Sequence, residues 1–311
     1  MEGNKVVSQS ILNGVIFIGL YILFISGIPL LNMLALVAMP LPIVYITAVY
    51  GLKPGIVLSS SAGIMTALLS ALLTGLFFLP LGFVAIGFTI GYYQFKKKSA
   101  VERLTVTIVV SFVLVAMGYV LLALIHDVSI LKVTRESLME SQQLAQAFGL
   151  DVYDDAFIET SLEMLEQLMV FLMLIFATAY AFIMHGSSAL LFNRVGLDYN
   201  KLPPFREWEF PKAVLIMYFL FWFLMIMPFE SGSYMATVSD TGFYVTSILL
   251  VLQGLSFLLT YMHFKKTHKA VRIISMIMIV LILLTLPLFV FVVRLMGAFD
   301  MLFRFRDRFK V

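Results

Sequence analysis

Cysteine is absent from all 311 residues of the chain. Its absence excludes disulfide bonds, thiolate nucleophiles, zinc or iron–sulfur centres held by thiolates, and a lipidated N-terminal cysteine. Histidine and carboxylates remain as the strong metal ligands, and the chain has only 4 histidines. We therefore expect the protein to work without a cofactor.

Charged residues are also scarce. They make up 13% of the chain, whereas 61% of the residues are hydrophobic and the mean hydropathy is +1.02. A soluble domain has about 25% charged and roughly 45–50% apolar residues. Long uncharged apolar runs recur from residue 11 to residue 293. This pattern excludes a soluble globule and predicts an all-α, polytopic transmembrane helical bundle.

Nine segments approach the roughly 20 apolar residues that a helix needs to cross a bilayer. They are Ile11–Leu31, Met33–Tyr50, Gly55–Thr74, Leu76–Phe95, Leu104–Ile125, Leu168–Phe192, Ala213–Phe229, Phe243–His263 and Ile273–Val293. Pro40 and Pro42 favour a broken second helix that is buried in the bundle or crosses only in part. The seventh segment is short and ends near Pro228, so a count of eight stays open.

Positive charges cluster in alternate loops of this nine-span arrangement. One side receives Lys5, Lys53, Lys96–Lys98, Arg103, Arg194–Lys212 and Lys265–Arg272, and the other receives Lys132 and Arg135 before the tail. The positive-inside rule then predicts a cytoplasmic N-terminus in a bacterial plasma membrane. The basic tail would lie outside after nine crossings and inside after eight.

The largest segment outside the predicted spans, residues 126–167, holds half of the 18 acidic residues. We expect Thr134 to cap a helix that ends at Gly149, and Asp154 or Asp155 to cap a second helix that continues into the sixth span. These helices would form an exterior acidic hairpin. The predicted domains are a six-span core (1–192) that includes the hairpin, a cytoplasmic linker (193–212), a three-span part (213–293) and a basic amphipathic tail (294–311).

Small residues recur every four positions in the third span and again in the fourth. The seam consists of Gly55, Ser59, Gly63, Ala67, Ala71 and Gly75, followed by Gly87 and Gly91. In lipid, helices associate through close backbone approach at such residues. The seam predicts either packing inside the protein's own bundle or docking of another membrane subunit.

No Asp, Glu, Lys or Arg lies well inside any predicted span. The nearest ionisable residues, His185, Glu230 and Arg294, lie close to span ends. Proton-coupled carriers and intramembrane proteases need ionisable groups at bilayer depth. Both classes are therefore disfavoured, and we do not expect the protein to be an enzyme.

Polar residues at the predicted outer ends of spans are candidate contacts for a solute. His126, Asp127, Glu163 and Glu166 would form the rim of an outward-opening pocket or would simply be solvated. Asn32 would contact a ligand or turn the chain between the first two spans.

Two further groups each have two interpretations. Asp151, Asp154 and Asp155 offer oxygen ligands to a divalent cation, but they also suit a helix cap. The linker segment 202–211 contains three prolines and three aromatic residues. These favour anchoring at the lipid headgroups or contact with a partner.

Three motifs carry a resemblance to a known family. They are MPLPIVY at 39–45, YGLKPG at 50–55, and the Pro203-Pro204 to Trp208-Glu209-Phe210-Pro211 stretch. They resemble the YybS-like family of predicted bacterial membrane proteins, over most of the chain. In topology the first six spans also look like the substrate-binding subunits of energy-coupling-factor transporters, with a proline-bearing second helix and a Gly-rich fourth.

The second resemblance implies capture of a small solute, with a coupling subunit and an ATPase as partners. The first span departs from that pattern, because only Ser10 and Gly14 have the spacing used for docking. Two hypotheses follow: a substrate-capturing subunit of a transporter, or a non-transporting assembly or regulatory protein. A polar cavity of about 300 Å³ or more favours the first, and a solid bundle favours the second. Neither predicts a nucleic-acid partner.

Overall fold

The computed structural model describes residues 2–149, 154–230 and 232–309. Those ranges contain helices and no strand, so the all-α prediction is confirmed. The α-helices are α1 (Glu2–Phe24), α2 (Pro29–Ala38), α3 (Leu41–Tyr50), α4 (Leu52–Leu73), α5 (Leu79–Phe95), α6 (Ala100–His126), α7 (Ile130–Ala147), α8 (Asp155–Arg194), α9 (Ala213–Met225), α10 (Tyr234–Phe264), α11 (Lys269–Thr285) and α12 (Pro287–Phe303). Short 3-10 turns lie at Phe205–Glu207 and Phe305–Phe309.

Six segments of the described chain are long and apolar enough to cross a membrane. They are Gly3–Phe24, Pro29–Tyr50, Leu52–Leu73, Ala100–His126, Asp155–Arg194 and Tyr234–Phe264. α5 and α9 are shorter apolar helices. A multi-pass helical protein is therefore supported, whereas the predicted count of nine spans is not confirmed.

The predicted ninth span is two helices rather than one. α11 ends at Thr285, Leu286 is extended with φ −126° and ψ 100°, and Pro287 begins α12. A proline ring disfavours the helical conformation of the residue before it, and a proline fits the first position of a new helix. The prediction of a single helix over 273–293 was therefore wrong.

The chain forms two compact units. The N-terminal unit comprises Met1–Asp154 and Leu172–Leu202, and the C-terminal unit comprises Asp155–Phe171 and Pro203–Val311. α8 contributes to both, so the two helices that were predicted to form the acidic hairpin fall in different units.

α3 occupies the centre of the N-terminal unit, where it packs against α1, α4 and α5. The turn at Met39 and Pro40 separates α2 from α3, and Ile43 is fully buried. Phe17 and Tyr21 of α1 are also fully buried in the same core. The interruption of the second span at its prolines is thus confirmed; its second half, α3, is buried in the bundle, whereas most of α2 is not.

Small residues of α5 let α3 approach closely. A Cβ atom on Gly87 would lie 2.6 Å from the Pro40 carbonyl oxygen, and one on Gly91 would lie 2.6 Å from the Thr47 Cβ. Gly55 of α4 faces the same Thr47 side chain. This part of the seam is internal helix packing.

The first helix of the predicted acidic hairpin, α7, begins earlier than predicted. Ser129, not Thr134, caps α7, because its hydroxyl accepts a hydrogen bond from the Lys132 backbone N–H at 3.1 Å. Gly149 has φ +74°, which is the left-handed conformation expected after the helix. α8 continues from Asp155 to Arg194 without interruption, as predicted.

In the C-terminal unit, contacts give the direction of each helix. α9 runs antiparallel to α10, since Phe221 faces Gly242 and Phe210 bonds Gln253. α12 runs parallel to α10, since Arg294 bonds Ser247 and, further along, Asp300 bonds Gln253. α11 therefore has to return the chain between them.

As a consequence, the tail and the linker lie at the same end of the C-terminal unit. The Arg306 Nη1 donates to the Trp208 carbonyl oxygen at 2.8 Å. Arg206 also contacts the His263 ring, which brings the α10–α11 loop to this end. Nine crossings would put the tail and the linker on opposite sides of the membrane, so this arrangement does not support that count.

The C-terminal unit is polarised in charge. The end with the linker, which we call the basic end, carries Arg206, Lys212, Lys265, Lys266, Lys269, Arg272, Arg304 and Arg306. Asp240 and Gln167 line a small pocket of about 140 Å³ at the opposite end. In the described part of the unit, no Lys or Arg lies at that opposite end.

Candidate functional site

Side chains of α10 hold the linker at the basic end. The Ser256 hydroxyl lies 2.7 Å from the Phe205 carbonyl oxygen and 3.0 Å from that of Trp208. The Thr260 hydroxyl donates to the Arg206 carbonyl at 2.6 Å. These bonds join three linker carbonyls to α10 and give the linker one defined path.

A buried ion pair joins the tail to the same place. The Arg306 Nε donates to the Asp300 Oδ2 at 2.6 Å, and both side chains are nearly fully buried. The Gln253 amide also donates to that oxygen at 2.6 Å, while its own oxygen accepts from the Phe210 N–H at 3.0 Å. We call Gln253, Ser256, Asp300 and Arg306 the polar node.

Two glycines allow α12 to reach the node. A Cβ on Gly254 would collide with the Val293 carbonyl, and a Cβ on Gly297 would collide with the Leu250 carbonyl. The backbones of α10 and α12 therefore touch, as small residues permit in membrane bundles. This contact places Asp300 beside Gln253.

A cavity of about 320 Å³ adjoins the node. Its lining carries both signs of charge: Glu209, Asp300 and Asp307 are acidic, and Lys212, Arg304 and Arg306 are basic. Within the described residues, the Asp300 Oδ1 is buried without a hydrogen-bond partner. The arrangement suits binding of a polar group or holding of water, and it contains no nucleophile–base pair for catalysis.

A second charged residue of this unit lies among aromatic rings. The Arg294 guanidinium is 5.4 Å from the Tyr218 ring centroid, 5.7 Å from that of Phe243 and 5.5 Å from that of Phe291. Its Nη1 donates to the Ser247 hydroxyl at 3.2 Å. Because α12 begins at Pro287, Arg294 lies in mid-helix and not in the tail, where the sequence placed it.

The N-terminal unit has its own buried cation. Arg103 is 1% exposed and donates to the Gln94 oxygen at 2.5 Å and to the Asn200 carbonyl at 3.1 Å. Its guanidinium lies 5.7 Å from the Phe192 ring centroid. In the part of the chain that the structure describes, no carboxylate pairs with it. Nearby but outside the spans, a hydrogen bond to Glu102 raises the pKa of Lys98.

The predicted rim residues do not assemble into a described pocket. Asn32 turns the chain: in the orientation that satisfies both amide groups, its nitrogen donates to three carbonyls of residues 23–28 at 3.0–3.1 Å. Asp127 is exposed with Lys132 3.8 Å away, and the exposed His126 ring lies at Gly75. Glu163 and Glu166 are exposed on the part of α8 that belongs to the C-terminal unit.

The predicted cation ligands are described only in part. Asp154 and Asp155 are exposed at the start of α8, and Asp151 lies outside the described residues. Among the described residues, no group of three or more His, Cys, Asp or Glu is placed to hold a metal.

The remaining seam residues face different surroundings. A Cβ atom on Gly63 would lie 3.4 Å from the Leu81 side chain and 3.5 Å from that of Val84, whereas Ala71 is exposed. Ser59 and Ala67 are partly buried. Internal packing therefore accounts for Gly55, Gly63, Gly87 and Gly91, which we call the packed part of the seam. Docking of another subunit stays a prediction for the exposed part at Ala71.

The polar node was missed from the sequence. Its detectable sign was one aspartate, Asp300, within the apolar run 295–303. An isolated acid in such a run calls for a partner, and the following arginines were the available ones.

Comparisons with known proteins agree with a membrane protein. Residues 15–301 match the family model described as "Predicted membrane protein (DUF2232)". The chain is 24% identical to the "Uncharacterized protein YybS" of Bacillus subtilis (strain 168), over 97% of this chain and 99% of that protein. No solved structure matches. The resemblance to the YybS-like family is thus confirmed, and the chain belongs to the DUF2232 family of predicted membrane proteins.

Proposed function

We propose that the protein is a non-transporting assembly or regulatory protein of the bacterial plasma membrane, with its partner surface at the basic end of the C-terminal unit. The observation that carries this proposal is the polar node, which fixes the linker and tail in one arrangement. Loops held on a rigid scaffold are the usual place for recognition. Exposed charges of both signs, among them Arg304 and Glu209, surround the node.

The N-terminal unit supports the same choice. A substrate-capturing subunit needs a polar cavity among its spans. The centre of this unit is instead filled by α3 and by large side chains such as Phe17, Tyr21 and Met39, which are fully buried. The 320 Å³ polar cavity adjoins the linker and tail of the C-terminal unit, and none of the predicted rim residues lines it. A transporter role therefore has less support.

The orientation that we propose puts the N-terminus and the basic end of the C-terminal unit in the cytoplasm. If α9 to α12 each cross, and α2 with α3 counts as one span, the chain passes the membrane ten times. The N-terminus, linker and tail then share one side. Lys132 and Arg135 are the basic loop residues left outside, which is the asymmetry expected from the positive-inside rule.

Cysteine labelling tests this orientation without background, because the natural chain has no cysteine. Lys266→Cys, Arg304→Cys and Lys132→Cys are made singly and treated in intact cells with a membrane-impermeant maleimide. We expect Lys132→Cys to react and the other two to react only after the membrane is opened. Labelling of Arg304→Cys from outside would contradict the proposed orientation.

Partner capture tests the function. The protein is purified from native membranes in mild detergent, and co-purifying proteins and released small molecules are identified by mass spectrometry. Arg304→Glu reverses a charge beside the node, and Lys53→Glu makes the same reversal on the N-terminal unit. We expect a partner protein that Arg304→Glu loses and Lys53→Glu keeps.

Two outcomes would contradict the proposal. Recovery of an ATPase with a coupling subunit, or of a metabolite in stoichiometric amount, would establish a transporter subunit. If Arg304→Glu and Lys53→Glu lost the partner to the same extent, the basic end would not be the contact surface.

A further inference from the structure

An apolar groove opens between α10 and α11 on the surface of the C-terminal unit, with a volume of about 520 Å³. Leu259 of α10 forms one wall, and Ile273, Met276 and Ile277 form a continuous face of α11 on the other. Pro204 and Phe205 of the linker close the end nearest the polar node. Away from its linker end, the groove is thus lined by apolar side chains.

Cations gather at the linker end of this groove. Arg206, Lys269 and Arg272 all line it. The Arg206 Nη1 lies 3.2 Å from the His263 Nε2, and an Arg272 guanidinium nitrogen contacts the Nδ1 of the same ring. Two guanidinium groups therefore converge on a single imidazole, which cannot neutralise either of them.

One carboxylate offsets part of this charge. Glu207 lies 3.3 Å from the Arg206 Nη2 and is about half exposed. Among the described residues, neither Lys269 nor Arg272 has an ion pair. A net positive cluster at the mouth of an apolar groove is complementary to a molecule with an anionic head and an apolar chain.

The weak packing of α11 against the rest of its unit also favours a lipid ligand. Within the described chain, α11 has no buried side chain, and Ile273 and Ile277 are 51% and 55% exposed. A helix of a membrane bundle that packs so little against its own protein presents its apolar face to lipid.

We infer that an anionic phospholipid binds in this groove, with its phosphate between Arg206, Lys269 and Arg272 and an acyl chain along Leu259, Ile273 and Met276. Arginine forks bind phosphate through paired hydrogen bonds, and the apolar walls exclude water from the chain. This site is separate from the cavity of the polar node and does not depend on the proposed partner.

The test uses the full chain, purified in neutral detergent and stripped of native lipid. Dioleoyl phosphatidylglycerol, dioleoyl phosphatidylcholine or inorganic phosphate is added, and bound lipid is counted by native mass spectrometry while thermal unfolding is followed in parallel. We expect phosphatidylglycerol to bind and to raise the unfolding temperature, and phosphatidylcholine and inorganic phosphate to do neither.

Matched variants locate the site. The double variant R206Q/R272Q removes two charges from the groove, and K265Q/K266Q removes two from the adjoining loop. At about 1 kcal/mol for each basic residue near anionic lipid, we expect affinity for phosphatidylglycerol to fall at least about tenfold in the first and to change little in the second. An equal loss in both would overturn the site in favour of general surface charge.

Two single variants guard against misfolding of the double variant. Met276→Trp fills the groove without changing charge and is expected to abolish the bound lipid. Glu207→Gln removes the opposing carboxylate and is expected to tighten binding. Equal binding of phosphatidylcholine, or no effect of either single variant, would overturn the inference, and an equal thermal shift with phosphate would assign the cluster to a free anion.

Discussion

Arg306 and Asp300 form an ion pair with 2.6 Å between the Nε and Oδ2 atoms, and their side chains are only 4% and 2% exposed. Arg306 also bonds carbonyl oxygens of the linker and of α10. One guanidinium thus connects three segments that are distant in sequence. The cost of burying these two charges is offset in part by the hydrogen bonds of the guanidinium and of the Asp300 Oδ2, whereas Oδ1 has no partner among the described residues.

Removing one partner of this pair is expected to destabilise the protein strongly. Arg306→Gln leaves a buried carboxylate without its counter-charge, which typically costs about 3–5 kcal/mol of unfolding free energy. Thermal unfolding in detergent measures the change. Arg304→Gln, on an exposed neighbour, should stay within about 0.5 kcal/mol of the natural protein. Similar stability of the two variants would show that the pair is not structural.

The α10–α12 contact predicts a sharp response to a single methyl group. Gly297→Ala would place a Cβ against the Leu250 carbonyl, and overpacking of this kind costs about 1–3 kcal/mol. Gly186→Ala is the matched control, because nothing lies within 4 Å of a Cβ there and alanine favours a helix by about 0.5–1 kcal/mol. The two unfolding temperatures should therefore move in opposite directions, and a parallel shift would contradict the close contact.

The packed part and the exposed part of the small-residue seam should respond differently when a small residue is replaced by leucine. Gly87→Leu is expected to unfold the N-terminal unit, because its side chain would run into the Pro40 carbonyl. Ala71→Leu, on an exposed position, should leave stability within about 0.5 kcal/mol. If the exposed part of the seam docks another subunit, the Ala71→Leu variant should stay folded but lose that subunit in a pull-down. A destabilised Ala71→Leu would instead make the whole seam internal.

Arg103 is expected to resist replacement even by lysine. Its two terminal nitrogens bond Gln94 and Asn200 at once, and an ammonium cannot reproduce that fork. Arg103→Lys should lose about 1.5–3 kcal/mol, and protease should cut near Asn200 more readily. Lys98→Gln serves as the exposed control and should change neither readout. If Arg103→Lys were as stable as the natural protein, a positive charge at this position would be enough for stability, and the prediction would be wrong.

The sequence predicted the helical class, the broken second span and the continuous α8, because apolar runs and prolines act locally. It did not predict that 273–293 divides in two. The apolar run there continues across Leu286, and only the effect of Pro287 on its neighbour stops the helix. That single turn reverses the chain, so the side of the tail, which the sequence left open, could not be derived without it.

The polar node could not be derived from spacing. Gln253 looks like an ordinary polar residue of a span, and Arg306 looks like one of several tail arginines. Their relation depends on the parallel arrangement of α10 and α12, which is set by Gly254 and Gly297 in three dimensions. The local sequence pattern shows which residues such a site could use, but not which of them are in contact.

The bond between Arg306 and the Arg206 carbonyl spans 100 residues and so also sets an order of events during biosynthesis. At about 5–20 residues per second, the ribosome needs roughly 5–20 s to make the intervening chain. During that interval four further helices, α9 to α12, are synthesised before the linker carbonyls meet their guanidinium. The polar node is therefore among the last contacts of the C-terminal unit to form, after the helices that surround it have been made.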